Sequence, residues 1–165
     1  MRPADASRAV VLDTNVALDL LLFQDPGTAA LQEALQQGRL RWLVLPGMRA
    51  EFVRVLDYPH LLAWRQAHGR SAKAALAAFD AHSCTVEPVP ACAVRCSDPD
   101  DQPFIDLAVA HRALLLSKDR AVLATRAPLA GLGVRVEKQL LTNRHPPLTR
   151  HGVEAAAELA HLQHM

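Results

Sequence analysis

An α/β fold with a mainly parallel sheet and helices on both faces is what this sequence predicts. Two patterns carry that expectation. Short apolar runs without polar alternation, Val10-Val11-Leu12, Trp42-Leu43-Val44-Leu45 and Leu114-Leu115-Leu116, read as strands buried on both faces. Between them lie segments whose apolar residues recur at helical spacing, so strand and helix alternate as in parallel crossovers.

In chain order, Val10 to Leu12 is the first strand, and Thr14 to Phe23 has the length and apolar content of a helix. Asp25-Pro26-Gly27 breaks the chain. Thr28 to Gln37 follows as a helix with Ala30, Leu31, Ala34 and Leu35 on one stripe, and Gly38 suits its end. The second strand stops at Pro46-Gly47, and Met48 to Leu56 resumes helical spacing. Two more helices, Leu61 to Ala67 and Ser71 to His82, are separated at Gly69 and read as a hairpin or arm. Thr85 to Val89 is a weak strand, Cys96 to Pro103 an acidic turn-rich loop, and Phe104 to Arg112 a helix. Leu114 to Ser117 and Val134 to Val136 complete the sheet.

One domain over residues 8–140 is expected, followed by an extension over 141–165 with an Ala-rich helix from Gly152 to Leu162. A chain of 165 residues is large enough to bury a core without staples. The formal charge of +1 advertises no global nucleic-acid field, and 4% aromatic residues argue against broad base-stacking platforms. Cys84, Cys92 and Cys96 are odd in number and lack paired CxxC spacing, which fits reduced thiols rather than a disulfide framework or zinc knuckle. The apolar stretch Val16 to Phe23 is too short for a bilayer and no export signal precedes it, so the expected location is the cytoplasm, with no membrane partner.

Residues just after parallel strands gather along one sheet edge, where ligands usually bind. Asp13 and Asp119 follow two such strands, and Asp101 opens the helix before the second of them. Helix capping explains Asp13, Asp101 and Asp119 equally well when each is taken singly. Glu51 differs, because it falls on the apolar stripe of its helix and the residue three before it is Met48, which cannot complete a capping box. Several carboxylates at one edge repel by about 4 kcal/mol per pair at 4 Å and an effective dielectric of 20. A divalent cation resolves that conflict. Oxygen-only ligands favour Mg²⁺ or Mn²⁺, and the chemistry of such a centre is phosphodiester hydrolysis. Arg49, Lys118 and Arg120 adjoin the acids and are candidate phosphate contacts. Asp100 rivals Asp101, Asp19 is a spare acid, and amphipathic spacing places Asp106 on the solvated side.

On Val11-Leu12-Asp13-Thr14-Asn15, the acid in Pro46-Gly47-Met48-Arg49-Ala50-Glu51, the stretch Asp98 to Ile105, and Leu116-Ser117-Lys118-Asp119, the chain resembles PIN-domain ribonucleases. The resemblance covers about Val10 to Glu137 and is greatest to the bacterial toxin components of toxin–antitoxin pairs. It implies a three-layer α/β/α sandwich and Mg²⁺- or Mn²⁺-dependent RNA cleavage by metal-activated water. Asp13, Glu51, Asp101 and Asp119 would be the catalytic metal ligands, with Asn15 and Ser117 as polar support. It also implies an RNA substrate, an antitoxin protein partner and a homodimer. Many members carry a further acid just after the position of Asp119, whereas Ala121 and Val122 follow Arg120 here, which bears on a second metal.

Two other functions compete. A phosphatase of the haloacid-dehalogenase type needs a second acid two residues after the first, and Asn15 stands there. The alternative from another class is a catalytically silent PIN-like module that binds RNA or a partner protein without cutting. Neither the GxxxxGK[ST] nor the GxGxxG pattern is present, which removes the common nucleotide-binding folds.

Overall fold

The computed structural model describes residues 8–141. Five strands, β1 (Arg8–Leu12), β2 (Leu40–Val44), β3 (Ser83–Thr85), β4 (Leu114–Leu116) and β5 (Val136–Glu137), form one sheet in the order β3-β2-β1-β4-β5. Every neighbouring pair is parallel. Consecutive residues Val10, Val11 and Leu12 of β1 and all three leucines of β4 are buried, so both faces of the central strands are covered. The expected α/β class is therefore the observed one.

The helices are α1 (Thr14–Leu18), α2 (Ala29–Gln36), α3 (Pro46–Leu56), α4 (Pro59–His68), α5 (Ala72–His82), α6 (Gln102–His111), α7 (Arg120–Leu123) and α8 (Arg126–Gly131). Residues Thr14 to Phe23 are not one uniform helix: α1 widens into a π-helical segment over Asp19–Phe23, which ends at Gln24 in the left-handed region. Segments of this kind are frequent near functional sites. Here Leu20 and Leu22 remain in the core, while Phe23 meets Trp64 of α4 edge-on at 4.6 Å.

Three expectations need correction. The weak strand lies at Ser83–Thr85 rather than Thr85 to Val89: Val86 N–H still reaches the Val44 carbonyl, but Pro88 and Pro90 have no N–H with which to extend the ladder. The last strand is Val136–Glu137, because Val134 N–H is spent on the Leu129 carbonyl, closing α8. Nor do α4 and α5 stand off as an arm. Both pack on α3, and α5 inserts Phe79 between Trp42 of β2 and Phe52 of α3, at ring separations of 4.6 and 4.9 Å. The extension expected over 141–165 lies, beyond Leu141, outside the described residues.

Sheet topology positions the site. From β1 the chain builds outward through β2 to β3, then returns to the other side of β1 for β4, so the order reverses between β1 and β4. A crevice outside the strand C-termini at such a reversal is the usual ligand position in open α/β sheets.

Candidate metal centre

The β1–β4 register pairs Leu12 with Leu116, which brings the next residues, Asp13 and Ser117, face to face above the reversal. Asp13 N–H donates to the Leu116 carbonyl at 3.1 Å, and the Ser117 hydroxyl donates to Asp13 Oδ2. Asp13 Oδ1 accepts from Val16 N–H at 3.0 Å, so this carboxylate caps α1 as well as facing the crevice. It is only 3% exposed, and burial pushes its pKa up against the hydrogen bonds from Ser117, Val16 and Asn15; the charge of Asp119 adds to the rise. Capping and site membership are thus not alternatives at this position.

Ser117 holds a second acid as well. Its Oγ accepts Asp119 N–H at 3.1 Å, and Asp119 Oδ1 in turn caps α7 through Ala121 N–H at 2.8 Å. One buried hydroxyl therefore locks two carboxylate-bearing segments. Ser117→Ala is expected to leave Asp13 Oδ2 buried without a donor and to cost about 1–3 kcal/mol. Urea denaturation near neutral pH checks this.

Asp101 behaves differently. The turn before α6 is capped by Asp98, whose Oδ1 accepts from Asp100 N–H at 3.0 Å, while Asp101 stands at the helix start without making a side-chain cap. Its Oδ2 is buried and has no hydrogen-bond partner among the described residues. Burial, then the charges of Asp119, Asp98, Asp13 and Glu51, push its pKa to about 7. All three other predicted acids therefore act on this one group. Asp100, its rival, is exposed and outside the cleft.

Glu51 is half-buried next to the buried Phe52 and lines the same cleft as Val55. The helix α3 starts at Pro46 with Leu45 as its cap, so Glu51 falls in the second turn, where no capping role exists. Thr14 Oγ1 donates to Glu51 Oε2 at 2.8 Å and ties α3 to the start of α1.

These side chains share one cleft of about 420 Å³, lined by Asp13, Asn15, Glu51, Asp101 and Asp119 on its polar side and by Phe23, Val55, Tyr58 and Leu61 among its apolar wall. Asn15 is exposed within it. Thr14, Tyr58 and His60 line it too and were missed by sequence reasoning; the hydroxyl next to Asp13 was the one available signal.

The cations are less engaged with the cleft than their sequence positions imply. Arg49 forms a two-pronged pair with Asp80 at 2.8 and 2.9 Å, and Lys118 Nζ lies 2.6 Å from Asp19. Arg120 is exposed with no ion pair among the described residues. Asp106 is not the solvated side chain expected. Its Oδ1 accepts Cys92 N–H at 3.0 Å and Gln102 Nε2 at 2.8 Å, because the 92–96 segment folds back over that face of α6. Cys84, Cys92 and Cys96 are free thiols.

Does this donor set fit a divalent cation? Among the described residues, no group of three or more His, Cys, Asp or Glu side chains is set to hold a metal ion. The described residues therefore form no closed protein cage. Mg²⁺, however, is commonly held by one or two carboxylates with water and substrate phosphate completing its shell. An all-oxygen set containing a buried carboxylate oxygen without a partner among the described residues, under the repulsion of four other acids, fits that mode.

A PIN domain sequence profile matches residues 9–121, more than half of the chain, and the chain belongs to the PIN-domain family. PIN domains are generally nucleases and typically bind divalent metals. None of the curated proteins matches the chain. No helix among the described residues is long and apolar enough to cross a membrane.

Proposed function

We propose that this chain is an endoribonuclease dependent on Mg²⁺ or Mn²⁺, acting in the cytoplasm as the toxin of a toxin–antitoxin pair. One observation carries the catalytic reading: Asp101 Oδ2 is buried without a partner among the described residues, in a cleft that also contains Asp13, Glu51 and Asp119. A site built only for stability would cap or pair that oxygen.

Each acid has a distinct task. Asp13 and Asp119 are held by Ser117 and by helix N–H groups, so they offer fixed oxygens at the crevice floor. Asp101 stands just before α6 and Glu51 lies in α3, and Thr14 sets the orientation of Glu51. A cation held there supplies activation of water and neutralisation of phosphate charge for in-line displacement. Arg120 is the cation best placed to meet the RNA backbone, with Lys118 and Arg49 able to contribute by exchanging Asp19 and Asp80 for phosphate. The toxin role, the antitoxin partner and the homodimer rest on the sequence resemblance.

RNA cleavage should require added Mg²⁺ or Mn²⁺, fall by at least about 100-fold in EDTA, and return when Mn²⁺ is restored. Cleavage that persists in EDTA refutes the metal mechanism. RNA or protein binding without cleavage at saturating Mn²⁺ would instead establish the catalytically silent module.

A further inference from the structure

We propose that Tyr58, which lines the acidic cleft, is a stacking platform for an unpaired nucleobase of the bound RNA. The inference rests on the ribonuclease reading above and extends it to the substrate's form.

The aromatic inventory isolates this ring. Of seven Phe, Trp and Tyr residues, Trp42, Phe52, Phe79 and Phe104 are buried in the core. Phe23 and Trp64 are packed on each other, and Trp64 also stacks on His68 at 4.2 Å with an interplanar angle of 17°. Tyr58, the only tyrosine, is 41% exposed yet lines the same cleft as the four acids. Its ring centroid lies 6.3 Å from that of His60, with the planes tilted by 44°, so the two are not stacked on one another. The low aromatic content excludes a broad platform; of the Phe, Trp and Tyr rings that line this cleft among the described residues, Phe23 is packed on Trp64 and Tyr58 is the exposed one.

The backbone presents the ring from a fixed corner. Tyr58 N–H donates to the Val55 carbonyl, its own carbonyl accepts from Leu62 N–H, and Pro59 locks the first residue of α4. Among the described residues no hydrogen bond engages the phenol hydroxyl, so the side chain has no assigned structural task. With a phosphate over the acids, a base of the same strand can reach the apolar wall. In a duplex the bases are stacked inside the helix, whereas unpaired bases are free to splay onto aromatic rings.

The test uses full-length protein carrying Asp101→Asn, so that RNA binds without turnover, with Mn²⁺ present. A short unstructured RNA containing 2-aminopurine is titrated with this protein and with versions that also carry Tyr58→Ala, Tyr58→Phe or Tyr58→Trp. Tyr58→Ala should weaken binding by about 5- to 100-fold and abolish fluorescence quenching of the stacked base, while Phe and Trp retain both. The same RNA annealed to its complement should bind more weakly than the single strand. Equal affinity for the Ala and Phe versions, or equal binding of duplex and single strand, overturns the platform while wild-type cleavage still supports the nuclease. A wild-type protein that neither binds nor cleaves RNA ends both proposals.

Discussion

Asp101→Asn is expected to lower metal-dependent RNA cleavage by at least about 100-fold without unfolding the protein. The substitution keeps the side-chain shape but removes the charge that would face a cation, and among the described residues no donor or acceptor is lost at Oδ2. It also removes the group on which Asp119, Asp98, Asp13 and Glu51 act together. A stability signature accompanies the loss of activity. Raising the Asp101 pKa from 3.8 to about 7 in the folded protein means that the native state binds this proton more tightly than the unfolded chain does. The resulting stabilisation is fully present below pH 3.8 and is lost as pH rises through about 7. In metal-free protein, the Tm difference between Asp101→Asn and wild type should therefore grow in favour of the variant between about pH 4 and pH 8. A constant difference across that range would show that Asp101 is not held in the repulsive environment described.

Phe79→Ala should be the most damaging single change to the fold, costing about 3–5 kcal/mol. Phe79 is buried and touches both Trp42 and Phe52, so it joins the central sheet, α5 and α3 at one point. Phe52 immediately follows Glu51, and loosening it releases the acid that Thr14 orients. Urea denaturation should show the full loss. Activity measured well below the unfolding transition should fall as well, because Glu51 loses its position before the chain unfolds. Phe79→Leu, which keeps much of the volume, should recover most of both.

The strands and their order of appearance were legible because buried parallel strands leave unbroken apolar runs, and β1, β2 and β4 are such runs. The edge strands were not. β3 and β5 are short, and their limits depend on which N–H groups are spent elsewhere, as at Val134, or missing, as at Pro88. Asp13 and Asp119 were legible as cleft residues for a related reason: strand ends in a parallel sheet point one way, so residues placed there converge whatever their separation in sequence, whereas Glu51 and Asp101 reach the same cleft from helices. Which acid does what was not. Asp98 rather than Asp101 caps the turn before α6, a choice made by local backbone geometry that composition does not encode. Asp106 and the pairs Arg49–Asp80 and Lys118–Asp19 depend on contacts between residues up to 99 positions apart. Helical spacing describes one element at a time and is blind to them.

The central claim is that the orphaned Asp101 oxygen and its neighbouring acids receive a divalent cation. Calorimetric titration of Mn²⁺ into the wild-type protein and into Asp101→Asn, each at pH 6 and pH 8, tests it most directly. Metal must displace the Asp101 proton, so wild-type affinity should rise between these pH values, with proton release detectable in buffers of different ionisation enthalpy. The variant should bind at least about tenfold more weakly and lose most of the pH dependence. No Mn²⁺ binding by the wild type, or equal binding by the variant at both pH values, would contradict the claim.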